Sequence, residues 1–140
     1  MVIELIDYGY KHKPKQNTYA DAGYDVYTTE EISIPNGCVG MTGVGFGIKL
    51  PQGYMAAVFP RSGKTRDGLI CQLPPVDSGY EGEIHAIIVN NTGEDVTIPE
   101  DTKIGQLVIL PIVSGAEFVT AEEFEALDKR GTKAFGSSGG

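Results

Sequence analysis

Pro75-Val76-Asp77-Ser78-Gly79-Tyr80-Glu81-Gly82-Glu83 crowds an acid, a hydroxyl, an aromatic ring and two glycines into one short stretch. It lies between Gly68-Leu69-Ile70-Cys71-Gln72-Leu73 and Ile84-His85-Ala86-Ile87-Ile88-Val89, two apolar, β-branched runs that read as strands. A tight connection between strands holds its side chains rigidly while leaving them exposed, the usual setting for binding and catalytic groups. With Asp77 and Tyr80 placed on such a connection, the flanking chain is β.

The composition agrees. Nineteen glycines and eight prolines accompany 41% hydrophobic residues in a chain of 140, which argues for many short strands joined by turns. That length suits one domain with one core. A net charge of −8 disfavours long nucleic acid, whose binding depends on neutralising phosphates with Lys and Arg. Any anionic ligand must be gripped locally. No apolar run approaches the roughly 20 residues needed to cross a bilayer, so no membrane partner is expected. Cys38 and Cys71 lack metal-ligand spacing, and two thiols in a reducing, cytoplasmic setting are expected.

Outward from the central stretch, Tyr54 to Phe59 forms a strand that delivers Pro60-Arg61-Ser62-Gly63-Lys64. Lys64 to Asp67 can make one helical turn before Gly68 stops it. Free N–H groups at the start of that turn, beside Arg61 and the Ser62 hydroxyl, are what a phosphate needs, although a plain basic surface turn has the same pattern. Val2 to Ile6 is a strand, Lys11 to Gln16 a basic loop, and Ala22-Gly23-Tyr24-Asp25 a turn leading into another strand, where Asp25 either ends the turn or carries chemistry. Ile32 to Leu50 reads as strand, Pro35-Asn36-Gly37 turn, strand. Gly43, Gly45 and Gly47 alternate through the second strand and let another backbone approach. No helix follows them, which excludes a dinucleotide fingerprint.

After Val89, Asn90-Asn91-Thr92-Gly93 is expected to turn the chain so that Val96-Thr97-Ile98 pairs with the strand before it. In Ile104-Gly105-Gln106-Leu107-Val108 the single amide needs a core partner or a ligand. One short helix is expected from a Thr120…Glu123 capping box, sealing a sheet edge with Phe124 and Leu127. Residues 1–127 then form the β-domain and 128–140 a flexible arm. Three of the eleven basic residues and one of the nineteen acidic ones fall in that arm, giving it +2 against −10 for the rest.

Five segments in order resemble the trimeric dUTP pyrophosphatases, the dUTPases. They are Ala22-Gly23-Tyr24-Asp25, Pro60-Arg61-Ser62-Gly63, Val76 to Glu83, Ile104-Gly105-Gln106-Leu107-Val108, and Arg130-Gly131 with Phe135-Gly136-Ser137-Ser138-Gly139. The resemblance implies an all-β, jelly-roll-like fold with one short helix and a C-terminal arm that closes a neighbouring subunit's site. It implies a homotrimer with shared active sites, hydrolysing dUTP to dUMP and pyrophosphate with Mg2+. Such activity limits uracil incorporation into DNA and supplies dUMP for dTMP synthesis.

By the same resemblance Asp77 is the general base for a water attacking the α-phosphorus. Arg61, Ser62, Gly63, Gln106, Arg130, Gly136, Ser137 and Ser138 bind substrate, chiefly its phosphates. Asp25 holds the metal through water. Tyr80 packs under the sugar and excludes a 2′-hydroxyl, and Phe135 stacks on uracil. The chain departs from the family at Leu73-Pro74-Pro75, where a glycine-containing approach is usual and two prolines remove N–H donors. A dCTP deaminase-like enzyme and a signalling module on the same fold are the alternatives.

Overall fold

The structure, a computed structural model, describes residues 1–72 and 75–132, the side chains of Gln72, Arg130 and Thr132 excepted. Ten strands and two helices follow in the order β1 (Glu4–Asp7), β2 (Tyr24–Tyr27), β3 (Ile32–Ile34), β4 (Val39–Gly43), β5 (Phe46–Lys49), β6 (Tyr54–Pro60), α1 (Ser62–Arg66), β7 (Leu69–Gln72), β8 (His85–Asn90), β9 (Val96–Ile98), β10 (Lys103–Pro111) and α2 (Ala121–Thr132). The pairing is antiparallel and nested: β4 with β8, β3 with β9, β2 with β10. β6 adds to the free side of β10, β7 to that of β8, and β5 pairs with β1. Nested antiparallel strands folded back on themselves make the jelly-roll arrangement.

Alternation drives the burial. In β8 Ala86, Ile88 and Asn90 point inward while His85, Ile87 and Val89 are half-buried. Ala86 and Ile88 join Val26, Ile34, Phe46, Ile48, Val58, Ile84 and Leu107 in one apolar core. Cys71 belongs to it, 3% exposed, and burial pushes its thiol up to about 11. Both cysteines are free.

The hairpin expected after Val89 does not form, because β9 crosses to β3. Asn90, fully buried, explains the crossing. Its Nδ2 donates to Ile34 O at 2.9 Å and Glu94 O at 2.7 Å, and its Oδ1 accepts from the Thr92 amide and hydroxyl. The side chain ties the end of β8 across to β3 and occupies the polar groups of the turn. Asn90→Ala leaves two carbonyls and the Thr92 amide short of partners in the interior. A loss of about 2 to 4 kcal/mol in urea unfolding is expected.

The second strand expected from the alternating glycines is two strands. Gly45 has φ +85°, a conformation that ends the extended run between β4 and β5, and a Cβ there would stand 2.7 Å from Tyr10 Cα. At the end of α1, Gly68 with φ +93° stops the helical turn as expected.

Helix α2 begins at the expected capping box, with the Glu123 amide donating to Thr120 Oγ1 at 3.1 Å and the Thr120 amide to Glu123 Oε2 at 3.4 Å. It runs to Thr132, across the boundary placed at Leu127. It does not seal a sheet edge: its described side chains are all exposed, Phe124 and Leu127 included, and Phe118 before it is 96% exposed. The apolar face that the sequence marks for burial is therefore not covered by this chain's described core. No described helix is long and apolar enough to cross a membrane.

Candidate active site

Two groups of polar side chains stand at opposite ends of β6. The first surrounds Asp25. In β2 Asp25 is in register with Gln106 of β10, and Gln106 faces Phe59 of β6 on its other side. Asp25 Oδ2 lies 3.0 Å from Lys103 Nζ and accepts from Asn17 Nδ2 at 3.1 Å. Its amide donates to Lys15 O at 3.1 Å. Oδ1 has no hydrogen-bond partner among the described residues.

The register of β10 shifts between Lys103 and Gly105, a bulge that bends the strand where these groups meet. On the β6 side, Arg61 Nη1 donates to the main-chain oxygen of Lys103 at 3.4 Å, which ties the guanidinium to the residue whose side chain pairs with Asp25. Ser62 and Gly63 follow as the exposed start of α1, whose N-cap makes no side-chain hydrogen bond. Nothing lies within 4 Å of where a Gly63 side chain would begin. The turn before Asp25 is organised by Asp21, whose carboxyl is held below the usual range by the Thr18 amide first, then by the Thr18 hydroxyl and the Asn17 amide.

Gly23 has a packing role in the same group. A Cβ there would stand 2.8 Å from Leu107 O, so a larger residue would separate β2 from β10 just before Asp25. That close approach is what the glycine in Ala22-Gly23-Tyr24-Asp25 supplies.

The second group is the central connection. Val76, 5% exposed, forms an isolated antiparallel bridge to Ala56, with Ala56 N donating to Val76 O at 3.1 Å and Val76 N to Ala56 O at 2.6 Å. Asp77 follows immediately and is exposed, and its carbonyl accepts the Tyr80 amide at 3.0 Å, closing the turn. Tyr80 donates its hydroxyl to Glu83 O at 2.7 Å. Asp77, Tyr80, Glu83, His85, Met41 and Ile87 line a cleft of about 290 Å3.

The structure thus brings Asp25, Gln106, Arg61, Ser62 and Gly63 together, and Asp77 with Tyr80, but not one group with the other. The antiparallel bridge at Ala56 sends Asp77 toward Met55 and away from Arg61. Arg61, just past the end of β6, is five residue steps from Ala56, about 16 Å at the rise of an extended strand. Arg130 lies in α2 with its side chain outside the described residues, as are Phe135, Gly136, Ser137 and Ser138 altogether. Leu73 and Pro74 of the unusual approach are also outside them. Lys103, Asn17 and Glu83 were not singled out in the sequence. The bulge and the crossing contacts that recruit them leave no local signal.

Among the described residues no three His, Cys, Asp or Glu side chains converge into a metal cage. A single carboxylate with one oxygen free suits an ion that keeps most of its water and binds phosphate oxygens, as Mg2+ does.

The jelly roll thus carries one set of groups with cations, an amide and a carboxylate on β2, β10 and the start of α1, and another with a carboxylate and a phenol on the connection before β8. Comparison with known proteins is specific. The dUTPase family profile matches residues 9–139. The deoxyuridine 5'-triphosphate nucleotidohydrolase of Clostridium acetobutylicum is 37% identical over 124 residues, covering 85% of this chain and 83% of that one. That of Debaryomyces hansenii is 34% identical over 128 residues, covering 90% and 79%. Among solved structures, a mutant dUTPase of phage phi11 of S. aureus, in which a structural Mg(II) ion is coordinated, superposes with TM-score 0.78 at 25% identity over 89% of this chain and 99% of that one. The chain belongs to the dUTPase family.

Proposed function

We propose that the protein hydrolyses dUTP to dUMP and pyrophosphate in a homotrimer whose active sites combine the Asp77–Tyr80 connection of one copy with the Asp25–Arg61–Gln106 group of the next. Family membership supports the reaction. The observation that supports the shared site is the placement of the two groups at opposite ends of β6, with Asp77 turned toward Met55 and away from Arg61. A head-to-tail contact that closes after three copies pairs each group with its complement.

The water is held by Asp77, which takes its proton as the oxygen forms a bond to the α-phosphorus. The bond from that phosphorus to the bridging oxygen breaks, and pyrophosphate leaves with the electron pair. Arg61 and Gln106 donate to phosphate oxygens as charge moves toward the leaving group, with the Ser62 hydroxyl and the Gly63 backbone beside them. Asp25 would hold Mg2+ through its water shell, and the ion would neutralise triphosphate charge. Tyr80 packs against the deoxyribose. Arg130, Phe135, Gly136, Ser137 and Ser138 complete the site from the arm, with Phe135 on the base. Two free thiols suit a reducing, cytoplasmic location.

The test is pyrophosphate release from dUTP, dTTP, dCTP and UTP with Mg2+. Turnover of dUTP alone is expected. A chain ending at Thr132 keeps α2 whole and removes Phe135 to Ser138, and loss of base stacking and phosphate contacts should lower kcat/KM by at least about tenfold. Ammonia released from dCTP would identify a deaminase instead.

A further inference from the structure

The alternating glycines of β4 and β5 lie against the Asp77–Glu83 connection, and Glu83 closes the contact. Glu83 Oε2 accepts the Gly45 amide at 2.9 Å. The carboxylate fills the volume a side chain at Gly43 would need: a Cβ there would stand 2.1 Å from Oε2 and 2.5 Å from the carboxyl carbon. At Gly47 a Cβ would stand 2.5 Å from Gly82 O and 2.9 Å from Glu81 O, so the connection is pressed onto the strand there too. Tyr8 donates its hydroxyl to Glu81 O at 3.0 Å from the other side.

The main chain of Glu83 carries this anchorage to the site. Its carbonyl oxygen accepts the Tyr80 hydroxyl at 2.7 Å and lies 3.0 Å from His85 Nδ1. The Tyr80 ring covers Gly82, where a Cβ would meet the phenolic oxygen at 2.7 Å and Cζ at 2.8 Å. The same residue thus grips β4 and β5 with its side chain and the Tyr80 ring with its carbonyl.

We propose that Glu83 is a positioning residue for sugar discrimination. Seated over Gly43 on the Gly45 amide, it fixes the carbonyl to which Tyr80 is tied, and hence the ring that leaves no room for a 2′-hydroxyl. The inference rests on the dUTPase reading, with Tyr80 against the sugar. A carboxylate–amide bond is stronger than a neutral one, and glutamine has the same reach with a weaker acceptor. A side chain without an acceptor removes the tie to the Gly45 amide and leaves the connection held by Tyr8, by the Val76–Ala56 bridge and by the Ile84 amide on Phe46 O.

The experiment compares kcat/KM for dUTP and UTP in the full chain and in Glu83→Ala, Glu83→Gln, Gly43→Ala and the Gly43→Ala/Glu83→Ala pair. Glu83→Ala should reduce the preference for dUTP by about tenfold or more, with dUTP turnover less affected than discrimination. Glu83→Gln should keep the preference within about threefold. Gly43→Ala displaces only the end of a flexible side chain, so it should fold, reproduce Glu83→Ala, and add nothing in the double variant. Wild-type preference in Glu83→Ala, equal losses in the Ala and Gln variants, or additive losses in the pair overturn the proposal. For any variant too slow to assay, the ratio of dUMP to UMP affinity, measured on protein shown to be folded by its melting transition, replaces the kinetic ratio and decides in the same way. A full chain that fails to hydrolyse dUTP overturns the dUTPase reading instead.

Discussion

Asp77→Asn should lower dUTP turnover by about 10² to 10⁴-fold, the range that a positioned general base contributes. Asparagine has the same shape and keeps an oxygen for the water, but it cannot take a proton at neutral pH. The surroundings should survive the change. No hydrogen bond to the Asp77 carboxylate exists among the described residues, and the turn is held by Val76 on Ala56 and by the Asp77 carbonyl on the Tyr80 amide. Affinity for a non-hydrolysable dUTP analogue, read by calorimetry, should stay within a few-fold of the unaltered chain, and the melting temperature should not move. Single-turnover pyrophosphate release then isolates chemistry from binding. Retention of more than about a tenth of the turnover would remove Asp77 from the base role.

Mixing two inactive proteins should restore activity. Arg61→Ala removes a charge-assisted donor from the phosphate group, at a cost of about 10² in kcat/KM, and leaves the other end of β6 untouched. In a closed ring, each site takes Asp77 from one copy and Arg61 from the next. When Asp77→Asn and Arg61→Ala chains are unfolded together and refolded in equal amounts, about a quarter of the sites receive both native residues. Recovery near that fraction, absent when the two are mixed as preformed oligomers, is the expected result. A protein that builds its site within one copy gives no recovery at all, a result that overturns the shared site.

Most of the strands were legible in the sequence because their signals are local. Alternation in His85 to Asn90, the apolar run of β6 and the Thr120…Glu123 box each announce an element within a few residues. What failed depends on contacts between distant residues. Pairing of β9 with β3 is decided by Asn90 reaching Ile34 O, and a turn-forming sequence carries no record of it. The break at Gly45 requires a left-handed residue, which an alternating glycine does not distinguish from an extended one. Helix α2 was found from its cap, but its boundary was not, since Asp128 to Thr132 lack apolar period and still continue the helix. In the site, Asp25, Gln106, Arg61, Asp77 and Tyr80 stand out from their local sequence, their roles come from the family likeness, and their division into two groups appears only in the register of β6 and β10.

The nested order of the strands also sets a timetable for the chain as it leaves the ribosome. Early β2 must wait for late β10, β3 for β9 and β4 for β8, so of the first five strands only β1 and β5 can pair with each other before the second half emerges. Such non-local closure makes folding slow and leaves sticky edges open during synthesis. A polypeptide that stops short of β10 lacks the strand on which both β2 and β6 pair, so that sheet can close only once Lys103 to Pro111 has emerged.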